Sequence, residues 1–340
     1  MKTSHRLLRV FSIVAVILAP LGVSLLSAQT AELRIGLVGL DTSHVVQFSS
    51  VLNNPADKNH LQGARVVGAF KGGSPDIEAS ASRVDGFTKE VMEKYGVKLY
   101  DSIEELARQV DALMIESNDG RLHLDQVKRA LPFHKPLFID KPFAASLRDV
   151  IEIFRLAKQA GVPVFTSSSL RFSAGMKTVT TPEVGGLVGA LAYGPAAFEP
   201  HHPDLFWYGI HAAESLFTAM GRGCERVTRT STADTDLVTG VWTDGRIGSM
   251  RGMRGVKAEY GIVAFGTKGV VDAKLDGAYA AMLREVLGFF RTGIAPVSSA
   301  ETVEIYAFME AAHESKRRGG VPVTIAEILK ANGATDDPPR

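Results

Sequence analysis

Two kinds of apolar spacing alternate along the first half of the chain. Short, nearly continuous apolar runs, LRIGLVG (33–39), ARVVGAF (64–70), DALMIES (111–117), PLFID (136–140) and VPVFTS (162–167), are separated by segments whose apolar residues recur every three or four positions. SIEELARQ, RLHLDQVKRAL and SLRDVIEIFRLAKQAG are of this second kind. Strands apolar on both faces, joined by amphipathic helices, predict a parallel sheet covered on both sides. After Arg171 the pattern changes to strand-like runs with turns between them: LVGALAYGPA, RVTRTSTA, DLVTGVWTDGRIGSMRGM and EYGIVAFGTKGVVDAKL. Asp244-Gly245 reads as a hairpin turn, and one helix, GIHAAESLFTAMG, interrupts the series. The fold class expected is α/β: a Rossmann-type doubly wound parallel sheet over 32–170, then an α+β domain with an open, mostly antiparallel sheet over 171–325. A long helix in AETVEIYAFMEAAHESKRRGG closes that second domain, and 326–340 is a tail ending in DDPPR.

Residues 1–28 follow neither pattern. Lys2, Arg6 and Arg9 precede the apolar run Val10–Leu26, which ends in Ser27 and Ala28, the layout of a secretory signal peptide; an uncleaved membrane anchor is the alternative. There is no Arg-Arg pair before the run and no Cys after it, so Sec export of an unfolded, unlipidated chain to the periplasm or exterior is expected. The whole chain of 340 residues carries 38 Lys and Arg against 37 Asp and Glu. Without the signal 35 basic and 37 acidic residues remain, a net charge of −2, which gives no sign of a nucleic-acid partner; no membrane partner is expected once the signal is cleaved. Cys224 is the only cysteine, so no internal disulfide supports the fold.

Chemistry is concentrated where the first strand ends. Leu33 to His44, LRIGLVGLDTSH, has the strand, turn and helix start of a dinucleotide-binding βα unit, with Gly36 in the strand and Gly39 at the turn. Asp41 and His44 stand where the second and third glycines of GxGxxG belong, and a carboxylate beside a pyrophosphate repels it. Two readings are open. Thr42 and Ser43 hydroxyls, with the amides of the helix start, bind an anion or sugar in place of the glycine amides; or Asp41 or Thr42 caps the helix and binds nothing. At the end of the second strand Lys71 replaces the acidic residue that would bind ribose hydroxyls, which favours NADP over NAD if either binds; an exposed loop is the alternative.

Further motifs resemble the Gfo/Idh/MocA family. IDKPFA, with Lys141, is similar to its EKP motif; WYGIHAAES, with Gly209 and His211, to its DxGxHxxD helix; GTKGVVD (266–272) to its GTKGtle turn. VGGLVGA (184–190) and ETVEIYAFMEAAHES match its domain entry and final helix. The resemblance implies a nicotinamide oxidoreductase acting on a carbohydrate or polyol, assembled as a homo-oligomer through the open sheet. Lys141, His211 and Glu214 would surround the reacting hydroxyl, a base and a cation being what hydride departure needs. Gly36, Gly39, Asp41, Thr42, Ser43, His44, Lys71, Asn118, His123 and Lys141 would line the NADP or NAD site. The chain departs from the family at Trp207, where the motif begins with Asp, and at Glu214, one methylene longer than the final Asp.

Two other functions stay open. A cofactor-free or metal-dependent sugar lyase or epimerase would use Glu214, His211 and His202; His201, His202 and Asp204, just before the His211 helix, offer metal-ligand types, although the leading reading assigns no metal. A periplasmic sugar-binding protein that keeps the fold without turnover is the other.

Overall fold

The computed structural model describes residues 31–334, so segment 1–28, expected to be a signal peptide, and the last residues of the tail lie outside the described residues. The first sheet is formed by β1 (Leu33–Val38), β2 (Ala64–Phe70), β3 (Lys98–Tyr100), β4 (Ala112–Ile115), β5 (Leu137–Ile139) and β6 (Val164–Phe165). All its pairs are parallel, in the order β3-β2-β1-β4-β5-β6. The order reverses between β1 and β4, and the crevice at the carboxyl ends of those two strands is where such sheets bind ligands. β3 escaped the sequence reading because three residues at a sheet edge are too short for a period to show.

The connecting segments fold as their local chemistry dictates. Helix Leu147–Ala160 starts where Ser146 accepts the amide of Asp149, buries Val150, Ile153, Phe154 and Ala157 on one face, and stops at Gly161, whose φ of 65° suits glycine. With helices Ile103–Ala107 and His123–Ala130 it covers one side of the sheet around Leu106, Leu113, Val127 and Leu137. The other side is covered by α1 (His44–Asn53) and helix Val84–Tyr95, together with a helix from far down the chain, Tyr279–Thr292. Its Met282, Val286 and Phe289 share a core with Phe48, Met114, Phe138 and Phe165.

The second sheet has strands β7 (Leu187–Pro195), β8 (Cys224–Ser231), β9 (Thr235–Trp242), β10 (Ile247–Met253), β11 (Tyr260–Gly266), β12 (Val270–Leu275) and β13 (Val323–Thr324). Its order is β12-β11-β7-β10-β9-β8-β13, antiparallel throughout except for β7 with β10. Helices Gly209–Met220 and Ser299–Arg317 pack on one face; Leu237, Ile247 and Phe265 stand exposed, the last two flanking Gly189. Both halves of the expected fold class are thus present, and 32–334 belong to one compact unit. Among the described residues no helix is long and apolar enough to cross a membrane.

Candidate active site

The turn after β1 is built around close approach. Gly39 has φ +91°, and a Cβ there would lie 2.3 Å from Ser117 Oγ at the end of β4. A Cβ on Gly72, in the loop after β2, would meet the Cα of Gly39 at 3.1 Å, so this loop lies directly on the turn. Asp41 joins the three segments. It is fully buried; one carboxylate oxygen accepts Ser80 Oγ at 2.6 Å and the other accepts the amide of Asn118 at 3.0 Å. Beside it Ser74 Oγ donates to Asp119 at 2.7 Å, and Arg121 bridges Asp119 and Asp76. Burial opposes ionisation of Asp119, but His202, Arg121 and Ser74 hold its carboxyl far below the ordinary range.

This network decides how a dinucleotide fits. Asp41, Ser74, Ser80, Asn118 and Asp119, all nearly or fully buried, join the turn after β1 to the loops after β2 and β4 through their hydrogen bonds. Asp41 is therefore neither a repelling group at an open phosphate site nor the cap of α1. Ser43 at the N-cap makes no side-chain capping bond, and Thr42 Oγ1 receives the His44 amide at 3.4 Å. Lys71 pairs with exposed Asp85 at 2.6 Å. Gly36 sits inside β1, where a Cβ would press on Leu113 at 2.9 Å, so it serves core packing. His123 is buried between the carbonyls of Ser117 and Phe143, at 2.8 and 3.1 Å, and burial keeps its imidazole below the ordinary value. The residues of this arrangement do not fit a bound dinucleotide.

Across the crevice a second group of side chains converges. His44 Nδ1 lies 2.6 Å from Asp140, and the Tyr279 hydroxyl lies 3.3 Å from its Nε2. Glu116, at the end of β4, is fully buried, and among the described residues neither of its carboxylate oxygens has a hydrogen-bond partner. Burial, with Asp140 beside it and Lys141 opposing, pushes its carboxyl well above the ordinary range. Lys141 is half-buried, its ammonium 5.4 Å from the centre of the Tyr208 ring. His211 is buried with Nδ1 2.8 Å from Ser168 Oγ and its ring edge-on to Tyr260. Burial first, then the charges of Lys141 and His44, push its pKa well down, so it stands neutral.

Lys141 and His44 both lie near enough to His211 for their charges to act on it, whereas the sequence reading set Lys141 and His211 at the reacting hydroxyl and His44 in the cofactor turn. Glu214 does not act there directly: it accepts Ser167 Oγ, the Ser168 amide and Arg171 Nε at 2.7–3.0 Å, and so fixes the serine that holds His211. The histidine cluster is not brought together either. His201 faces Glu199, His202 Nε2 receives the Gly120 amide, and Asp204 pairs with Arg229 and Lys316. Glu116, Asp140, Tyr208 and Tyr279 are the residues that sequence reasoning missed. Glu116 and Asp140 ended two strands already recognised, and acidic residues at the carboxyl ends of adjacent parallel strands were the available signal.

Comparison with known proteins agrees with the fold. Residues 33–168 match the model of an oxidoreductase family with an NAD-binding Rossmann fold, GFO_IDH_MocA. The chain is 24% identical over 122 residues to the uncharacterized oxidoreductase YhhX of Escherichia coli K12; the match covers 32% of this chain and spans about a third of that relative, 35%. Among solved structures it is similar to scyllo-inositol dehydrogenase from Lactobacillus casei with bound NAD(H) and scyllo-inositol (TM-score 0.70, 14% identity, 86% of this chain and 99% of that one). Myo-inositol 2-dehydrogenase from Lactobacillus plantarum is comparably similar (TM-score 0.70, 15% identity, 86% and 99%). At such identities the likeness is one of fold. Residues 33–168 thus match the Rossmann half of the Gfo/Idh/MocA oxidoreductase family, and the chain shares the two-sheet fold of these dehydrogenases, with strand order reversing at β1 and β4.

Proposed function

We propose that this chain keeps the cleft for a carbohydrate or polyol derivative and its proton-transfer groups, but does not exchange free NAD(P), and acts as a lyase or epimerase. The carrying observation is Asp41, buried at the second-glycine position and bonded to Ser80 and Asn118 across the dinucleotide groove. Without hydride transfer, a sugar C–H is labile only beside a carbonyl or carboxylate, so the substrate class is a keto sugar or sugar acid. Neutral His211, its Nδ1 at Ser168, offers Nε2 to take the carbon-bound proton, and the Lys141 ammonium stabilises the enolate oxygen. Returning the proton to the other face gives the epimer; expelling the β-hydroxyl as water gives the dehydrated product. Neither changes the number of electrons. Tyr260, edge-on to His211, also lines a surface cavity of about 580 Å³ together with Glu259, Lys274 and Asp276.

The second reading is oxidation of a polyol with NAD(P), favoured by the family match of the Rossmann half and by Lys141 at the end of β5. Calorimetric titration of purified protein with NAD and NADP, and mass analysis of small molecules released on denaturation, separate the two. The expected result is no dinucleotide in either; retained dinucleotide, or saturable binding, would establish the oxidoreductase reading. Export to the periplasm and a homo-oligomer formed on the open face of the second sheet complete the proposal.

A further inference from the structure

The crevice between β1, β4 and β5 contains an arrangement that proton transfer at His211 leaves unused. Glu116 and Asp140 follow the neighbouring strands β4 and β5, His44 opens α1 after the adjacent β1, and one ligand-type atom from each lies within 4.8 Å of the others. Glu116 supplies the independent observation. A fully buried carboxylate with no hydrogen-bond donor on either oxygen is costly, and this one faces Asp140 rather than apolar packing. The charges acting on it are two anions, Asp140 and Asp41, against one cation, Lys141. Asp41 is already satisfied by Ser80 and Asn118, and Asp140 by His44, which leaves Glu116 as the carboxyl of the group without a partner.

We infer that His44, Glu116 and Asp140 bind a divalent transition-metal cation of the Mn²⁺ or Zn²⁺ class. One imidazole and two carboxylates suit such ions better than Ca²⁺, which takes oxygen ligands. Bonds of about 2.0–2.2 Å would place the donors roughly 3–4 Å apart, so the 2.6 Å approach of His44 to Asp140 must widen, while all three donors already lie within 4.8 Å of one another. Outer partners are in place: the Tyr279 hydroxyl at 3.3 Å from His44 Nε2 fixes the ring, and the Asp140 amide donates to the Ile115 carbonyl. Three protein ligands leave a coordination position open toward the cleft, on the side where His44 is partly exposed. There the ion would polarise the substrate's carbonyl. That role rests on the lyase or epimerase reading; the site itself does not.

The test is titration of chelator-treated full-length mature protein with MnCl₂ and, separately, ZnCl₂, followed by calorimetry and, for manganese, by loss of the free-ion paramagnetic signal. One ion per chain is expected. Glu116→Gln and His44→Gln should each weaken binding ~10-fold or more, with circular dichroism unchanged. Asp85→Asn, at the surface, should bind as the parent does. If Glu116→Gln does not fold, His44→Gln alone carries the comparison. Absence of binding up to about 1 mM, the weak end for functional divalent sites, would overturn the inference. So would binding that survives both substitutions. Saturable NAD(P) binding would instead sink the functional reading while leaving the cation result standing.

Discussion

Asp41 and Ser80 stand 39 positions apart in the chain, and their 2.6 Å hydrogen bond fastens the loop after β2 onto the turn after β1. The bond is buried, so removing the acceptor strands the Ser80 hydroxyl and the Asn118 amide together. Asp41→Ala should lower the free energy of unfolding by about 1–3 kcal/mol, measured by denaturant titration. An unchanged midpoint would show that the loops are not fastened through this carboxylate.

Lys141 and His211 are expected to carry proton transfer. Lys141→Met and His211→Ala should each reduce turnover of a keto-sugar or sugar-acid substrate by ~10²-fold while the far-ultraviolet spectrum stays the same. Full turnover in both variants would remove the reaction from this cleft.

Stability should fall in mild acid. Burial keeps His211 and His123 below the ordinary histidine value of 6.5, so their unfolded forms take up protons at pH values where the folded forms do not. Stability is therefore whole above 6.5 and is lost as pH falls toward the folded pKa values. Unfolding midpoints between pH 7 and about pH 5 measure the slope, and His123→Gln should flatten it.

Burial and the neighbouring Glu304 carboxylate push the Cys224 thiol up to about 12. Thiol reagents at neutral pH should leave the native protein unmodified and label it fully once it is denatured. Labelling at the rate of a free thiol would contradict the placement of Cys224 in the core.

The exposed apolar face of the second sheet supports a partner-subunit contact. Light scattering on the mature protein should give a mass above one chain, and Ile247→Asp or Phe265→Asp should return it to one chain. A monomeric parent would refute the homo-oligomer.

Much of the fold was legible because parallel strands and their helices write distinct periods, and β1, β2, β4, β5 and β6 were all visible in that way. Motif order singled out Lys141 and His211, and both stand on the candidate cleft. What stayed hidden depends on distance along the chain: the bond from Asp41 to the Asn118 amide spans 77 residues, and that from Tyr279 to His44 spans 235. A carboxylate at a glycine position read as repulsion because its partners were not visible. Glu214 read as a base because Ser167, Ser168 and Arg171, which occupy its lone pairs, lie in a loop without a periodic signal.

Met282, Val286 and Phe289 close one face of the first sheet, yet they follow the whole of the second sheet's strands β7 to β12 in the chain. During synthesis or export from the N-terminus, Phe48, Met114, Phe138 and Phe165 must wait uncovered until those residues arrive. The first half is therefore not a separable module: a fragment ending at 170 would expose a broad apolar face and need a holding chaperone to stay in solution.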